Sequence, residues 1–197
     1  MSGKDSDNER TRIVIENVAG TEADNTSERT YMLRKGVAVV FYDENPLFTE
    51  GERAPEALKR LAEDGNNGHL NDWGELNDNV EATHLPNPIT PVRPGQKQEL
   101  SVSVSDPENA KVAFAYKVIP SPDVVLATTG IPVMRDGERL TGDVTEYTNL
   151  YDAGIKAWTF IGKAREEPVV RKVTDSRNYI GFPAVSQIFR VAVEGAE

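Results

Sequence analysis

The chain has 197 residues, 38% of them hydrophobic, no cysteine and a formal net charge of −10. This length is enough to bury a sizeable core, and the lack of cysteine excludes disulfides and thiolate metal sites. The acidic balance disfavours nucleic acid and anionic lipid as partners, because a negative surface repels phosphate groups.

The N-terminal residues are polar and charged, which predicts a disordered tail over residues 1–10 and one domain over residues 11–197. No apolar run approaches the ~20 residues of a membrane helix, so we expect no transmembrane segment. The first residues also lack the apolar stretch of a secretory leader. If a leader has been removed, the protein is extracellular or part of the cell envelope. A cytoplasmic location stays open as the alternative.

Two strands are predicted before residue 45. Residues 11–18 place Ile13, Ile15 and Asn17 on one side and alternate them with the opposite face, which is the period of a strand. Residues 36–42 form a continuous apolar run, which is typical of a buried strand.

A helix is predicted over residues 55–65. Proline at position 55 suits the first turn, and glycine at position 65 suits the C-terminal cap. A shorter second helix is expected within residues 69–77. Helical spacing places four apolar side chains on one face of the first helix: Ala57, Leu58, Leu61 and Ala62.

Short strands dominate the rest of the chain, after a proline-rich connector at residues 84–95. Turn signals recur between them, among them Asp106-Pro107 and Asp136-Gly137. The predicted strands lie at residues 98–105, 110–119, 124–130, 156–161, 167–173 and 185–194. Together these elements predict an all-β fold, an antiparallel β-sandwich of about eight strands with a short helical insertion near residues 55–77.

Signatures of catalysis are missing from the sequence. It contains no phosphate-binding glycine loop, no dinucleotide-binding fingerprint and no nucleophile elbow. His69 and His84 are the two histidines, and without cysteine a zinc site would need several carboxylates to complete it. A Ser-His-Asp triad assembled from distant parts of the chain stays open, although neither histidine lies beside a turn that looks prepared for catalysis.

Carboxylates beside the predicted strands form a candidate cation site. Asp106, Asp123, Asp143 and Asp152 all fall in loops. Calcium takes six to eight oxygen ligands, and the loops at one end of a sandwich can bring such residues together. The alternative is that each aspartate only makes a turn, because aspartate is a common turn residue.

Five segments in the same order resemble the spondin-N domains, named for the N-terminal part of F-spondin and mindin. The resemblance covers roughly residues 11–194. The segments are "ENPLFTEGERAPEALKRLAEDG", "VIPSPDVV", "GERLTGDVT", "LYDAG" and "GFPAVSQIFRVAVE".

This resemblance implies an eight-stranded antiparallel β-sandwich similar to calcium-dependent membrane-binding modules. It implies Ca²⁺ held by loop carboxylates, and no enzymatic activity in this domain. In animal members the domain serves adhesion to matrix, integrins or microbial surface molecules. The expected partner is therefore a protein or glycan at a surface.

The resemblance carries over residue by residue to two metal ligands. The aspartate of the S-P-D motif is Asp123, and the aspartate of the Y-D-A-G motif is Asp152. A second carboxylate follows that turn in animal members, and here the position holds Lys156. A family glutamate falls near Ser103. The expected calcium site is therefore weak, and the alternative is that the Lys156 ammonium takes the place of the ion.

Three functions stay open on the sequence. The first is a non-enzymatic extracellular or cell-surface adhesion domain acting through loops at one end of the sandwich. The second is a carboxylate-dependent hydrolase of an extracellular polymer, which would need two close carboxylates with raised pKa values. The third is a structural component of a surface assembly, which would show a large apolar patch or a paired edge strand.

Overall fold

The computed structural model describes residues 9–20, 31–70, 78–84, 91–155, 168–175 and 182–195. The strands in chain order are β1 (Glu9–Asn17), β2 (Met32–Phe41), β3 (Val80–His84), β4 (Lys97–Val104), β5 (Lys111–Ile119), β6 (Val124–Thr128), β7 (Ile131–Pro132), β8 (Met134–Arg135), β9 (Glu138–Arg139), β10 (Gly142–Asp143), β11 (Thr148–Asp152), β12 (Arg171–Lys172) and β13 (Phe189–Glu194). Eight of these strands have five residues or more, which agrees with the predicted number.

Helical segments are few and short in these residues. The longest with described ends is α1 (Glu56–Asp64), residues 68–70 are also helical, and one helical turn spans Val185–Ile188. Two 3-10 turns lie at Thr145–Tyr147 and Val173–Asp175. Within the described part of the chain, no helix has the length and apolar character needed to cross a membrane.

Two antiparallel sheets make the predicted sandwich. One has four strands in the order β10-β13-β1-β4. The other has the order β12-β11-β6-β5-β2-β3, with β7 added beside β5. Strands β8 and β9 form a separate hairpin around Asp136-Gly137, where both residues have positive φ. That backbone is what a two-residue hairpin turn requires, so the turn predicted at this dipeptide is confirmed.

The main core lies between the two sheets. Ile13 of β1 and Leu100 of β4 come from the smaller sheet, and Phe114 of β5 and Leu126 of β6 come from the larger one. All four are fully buried. The strict alternation along β4, with its serines outward, follows from having one apolar face and one solvated face.

Helix α1 covers the other face of the larger sheet and makes a third layer. Its four predicted apolar residues are buried with Val37 and Val39 of β2. Gly65 ends the helix in the left-handed region, and its N–H donates to the Leu61 carbonyl at 2.9 Å. The predicted helix and its cap are therefore confirmed. Because this layer buries both faces of β5, residues 112–118 of that strand are buried without interruption.

Some predicted boundaries were wrong. Strand β3 falls just before the proline-rich segment and was not predicted, although it pairs with β2. The strand predicted at 185–194 begins with the helical turn Val185–Ile188, where the Ala184 N–H donates to Gln187 Oε1 at 2.8 Å. The strand predicted at 167–173 is reduced to β12. The predicted strand at 156–161 and most of the second helix lie outside the described residues.

Candidate functional site

The S-P-D segment makes a closed turn between β5 and β6. The Ser121 hydroxyl donates to the Val118 carbonyl at 2.5 Å and accepts the Val124 N–H at 3.1 Å. This pair of bonds satisfies backbone groups at the end of one strand and the start of the next. Asp123 is the last residue of this turn and is fully buried.

The Y-D-A-G segment ends the neighbouring strand at the same edge of the sheet. Asp152 is the last residue of β11 and pairs with Val124 of β6. The next N–H, that of Ala153, donates to the carbonyl of Asp123 at 3.1 Å. The structure therefore brings the two predicted metal ligands into adjacent positions on neighbouring strands.

Asp152 also makes the turn that follows it. Its Oδ1 accepts the Gly154 N–H at 2.8 Å, which is the hydrogen bond of an Asx turn. The side chain is 1% exposed. The turn role that composition suggested for this aspartate is confirmed.

Strand alternation, continued one residue beyond β6, would put the two carboxylates on opposite faces of the sheet. Asp152 pairs with Val124, whose side chain lies in the core between the sheets. The backbone carbonyl of Asp123 accepts a hydrogen bond from the N–H of Ala153, whose side chain lies in the layer under α1. Paired residues on neighbouring strands share a face of the sheet, and successive residues along a strand alternate between the two faces. Asp123 and Asp152 can therefore be neighbours in the sheet without their carboxylates meeting at one ion.

The described residues do not by themselves fit a calcium site. Calcium needs six to eight oxygens, and its affinity follows the number and rigidity of charged ligands. Two carboxylates provide a small part of that set. In the described part of the chain, no three carboxylate or histidine side chains form a group that could hold a metal ion. The assignment of Asp123 and Asp152 as metal ligands stays a prediction.

The other residues considered for the cation site lie away from Asp123 and Asp152, or outside the residues that the structure describes. Asp106 is at the start of the turn into β5, and the nine residues of that strand separate it from the S-P-D turn. Asp143 is an exposed residue of β10, and hydrogen bonds from Thr145 lower the pKa of its carboxyl group. Ser103 is part of β4 on the other sheet. The Lys156 hypothesis concerns a residue outside the described ranges.

Lys117 is a residue of this region that the sequence analysis missed. It lies on β5, is 5% exposed, and directs its ammonium group to the carbonyl oxygens of Ser121 and Pro122 at 3.4 and 3.5 Å. A lysine inside an otherwise apolar strand, "AFAYKVI", is the signal that could have found it, because lysine is almost never fully buried without partners.

Tyr151 of the same Y-D-A-G segment is buried under α1. Its ring packs on Phe48, with 4.8 Å between the ring centroids and 59° between the planes. Burial raises the pKa of Tyr151 to about 12, and the charge of Glu50 acts in the same direction. Both effects disfavour the phenolate, so the hydroxyl stays protonated at physiological pH.

We expect the free energy of unfolding to fall between pH 10 and pH 12 because of Tyr151. Its pKa is higher in the folded state than the ordinary value of 10.0, so the contribution is complete below pH 10 and is lost as the pH rises through about 12. Urea unfolding at several pH values should show a loss on the order of 2 kcal/mol, from two pKa units. In Tyr151→Phe this part of the loss should disappear. An unchanged alkaline slope in the variant would contradict the assignment.

Comparison with known proteins gives one family. The family model described as Spondin_N matches residues 35–178, more than half of the chain, and this range includes Asp123, Asp152 and α1. No curated protein matches the chain.

Proposed function

The chain belongs to the spondin-N family, and from this premise we propose that it is a non-enzymatic binding domain of the cell surface or extracellular space. The family match over residues 35–178 is the observation that carries the proposal. The proposed role is adhesion to a protein or glycan ligand. The sandwich supports it, because loops at one end of such a frame are held by rigid strands and can vary without disturbing the core.

The proposed binding surface is the end of the sandwich that carries the S-P-D and Y-D-A-G turns. Asn17 is the last residue of β1 in the smaller sheet, and its buried amide donates hydrogen bonds to the carbonyls of Tyr31 and Val92. Tyr31 directly precedes β2 of the larger sheet, so these hydrogen bonds connect the two sheets at this end. The exposed loop around Arg93 therefore lies beside the start of β2, which pairs with the end of β5. Loops from both sheets meet here, so a ligand could contact several of them at once.

Burial of the two aspartates supports a non-enzymatic role for this end. Asp123 is 0% exposed and Asp152 is 1% exposed. A carboxylate that acts as a general acid, base or nucleophile must come within hydrogen-bond reach of the substrate. These two side chains instead lie within the protein, and one of them holds the backbone of its own turn.

Binding to immobilised probes tests this proposal. The purified protein is passed over heparin, bacterial peptidoglycan and fibronectin, with serum albumin as the negative surface. We expect saturable binding to at least one probe. Binding should fall at least about tenfold in Arg93→Glu, as for the loss of one well-placed charge contact worth about 1.4 kcal/mol.

Lys111→Glu provides the matched control. Lys111 is an exposed residue at the opposite end of β5, so the same charge reversal should leave binding within about twofold. Equal losses in both variants would contradict the proposed surface and indicate attraction by overall charge. Release of new reducing ends from heparin or peptidoglycan, abolished by Asp123→Asn, would contradict the non-enzymatic role.

A further inference from the structure

Two consecutive strand residues are exposed at the end of the sandwich proposed above as the binding surface. Strand β2 carries Arg34 and Lys35 between the buried residues Leu33 and Gly36. The register against β5 shifts at this point, so that both cations lie opposite the single residue Lys117. This arrangement is a β-bulge, which interrupts the usual alternation of a strand. Two positive side chains are therefore exposed together at the S-P-D end of the larger sheet.

A third cation lies beside them on a closed turn. Val92 forms an isolated bridge with Leu33, with N–O distances of 2.8 and 3.2 Å. Arg93 and Arg34 directly follow these two paired residues, so their Cα atoms lie within about 13 Å of each other. The Arg93 N–H donates to Gln96 Oε1 at 2.9 Å, and the Arg93 carbonyl accepts the Gln96 N–H at 2.9 Å. The backbone that carries this third cation is therefore held by hydrogen bonds.

The three cations Arg34, Lys35 and Arg93, which we call the basic cluster, are all exposed. None of the ion pairs formed among the described residues includes a member of this cluster. Lys97 at the same end differs, because its Nζ lies 3.9 Å from Glu16 Oε2. The chain has 32 acidic and 22 basic residues, so the cluster does not stay unpaired for want of carboxylates. Unpaired cations attract an anionic group at close range, although the net charge of −10 repels extended negative surfaces.

We propose that the basic cluster binds sulfated glycan chains, an inference that rests on the proposed function and names the ligand class of its surface. Guanidinium groups donate paired N–H bonds to oxyanions, and sulfate groups recur along such a chain at the spacing of its sugar units. A single glycan chain is thin enough to stay within the screening length of about 8 Å from the cluster. A membrane or a nucleic-acid duplex would also face the acidic remainder of the protein, which disfavours both.

Fluorescence anisotropy with a labelled heparin oligosaccharide tests the proposal in wild-type protein first. Binding should be saturable, and it should weaken as NaCl rises from about 0.05 to 0.2 M, because bound counterions are released. The desulfated, N-acetylated oligosaccharide of the same length should bind at least about tenfold more weakly, as for the loss of one well-placed charge contact. Vesicles containing phosphatidylserine should not displace the heparin probe. Equal binding of the sulfated and desulfated probes, or displacement by the vesicles, would overturn the proposal.

Removal of the three charges gives the second arm. The triple variant Arg34→Gln, Lys35→Gln, Arg93→Gln should bind the heparin probe about thirtyfold more weakly, from roughly threefold for each exposed charge contact. The slope of log affinity against log salt should also fall by about two to three, because fewer counterions are released. All three side chains are exposed, so the melting temperature should stay within about 2 °C of wild type. The sulfated and desulfated probes in wild type decide the proposal without any variant.

A second triple variant provides the matched control. Lys111→Gln, Arg135→Gln, Arg139→Gln removes the same charge near the other end of β5, where Lys111 pairs with Pro132 of β7 and the β8–β9 hairpin follows. Its affinity for the heparin probe should stay within about twofold of wild type. Equal losses in the two triple variants would overturn the proposal, because they would assign binding to overall charge.

Failure of this inference and failure of the proposed function give different results. Wild-type protein that binds fibronectin or peptidoglycan, loses this binding in Arg93→Glu and binds sulfated and desulfated oligosaccharides equally would overturn the sulfated ligand alone. Adhesion through this end of the sandwich would then stand with another ligand. Absence of saturable binding to every one of these probes would overturn both.

Discussion

Replacing Gly154 by alanine is expected to destabilise the protein by about 3–5 kcal/mol, because two costs add at this position. Its φ is +69°, a backbone conformation that costs about 1–2 kcal/mol for a residue with a Cβ. A Cβ here would also lie 2.7 Å from the carbonyl oxygen of Val169 and 2.9 Å from the carbonyl carbon of Pro168. Urea unfolding of wild type and variant measures the difference.

Gly95 provides the matched control for this prediction. Its φ is +79°, but no heavy atom lies within 4 Å of the position that its Cβ would take. Gly95→Ala should therefore cost about 1 kcal/mol, the backbone part alone. Equal losses of stability in the two variants would contradict the close packing of the Gly154 turn on residues 168–169.

This contact explains why the Y-D-A-G segment has its composition. Asp152 accepts the N–H of Gly154, and Gly154 lets the backbone of Val169 approach. Both roles are structural, and both would persist whether or not the region binds an ion. The aspartate of a family motif is therefore not evidence for a metal site until its side-chain direction is known.

Helix and strand periods predicted the parts of the fold where local pattern and packing agree. In β4 the alternation of apolar residues and serine matches one buried and one solvated face. In α1 the four apolar residues and Gly65 appear as predicted, because a helix on a sheet needs one apolar face and a C-terminal cap. Each of these signals is contained within about ten residues.

Strand β3 shows where local pattern is insufficient. The strand is short, and none of its residues, "VEATH", is fully buried. Neither alternation of apolar residues nor a continuous apolar run therefore indicates a strand here. The strand exists because β2 offers it a long partner, and Val39 pairs with Thr83 across the edge. Such pairing depends on residues some forty positions apart, which a local window does not contain.

The candidate site depends even more on contacts between residues that are distant in the sequence. Motif resemblance identified Asp123 and Asp152, and the structure places them on adjacent strands. It could not identify the register between β6 and β11, which pairs Asp152 with Val124 and not with Asp123. Nor could it identify Lys117, whose partners come from α1 and from the turn after β5.

Replacing Asn17 by alanine is expected to cost about 3 kcal/mol, because its buried amide makes three hydrogen bonds to backbone groups. The Nδ2 group donates to the carbonyls of Tyr31 at 2.8 Å and Val92 at 3.0 Å, and Oδ1 accepts the Ala19 N–H at 3.1 Å. Truncation would leave these groups without this partner in a site that is 0% exposed. Urea unfolding measures the loss.

Two further variants separate hydrogen bonding from packing at this position. Asn17→Leu keeps most of the side-chain volume, so a loss as large as that of Asn17→Ala would assign the effect to the three hydrogen bonds. Asn109→Ala removes an exposed amide that donates to Asp106 Oδ2 at 2.8 Å, and it should cost less than about 1 kcal/mol. Near-wild-type stability of Asn17→Leu would instead mean that the volume of Asn17, and not its hydrogen bonds, holds the two sheets together at this end.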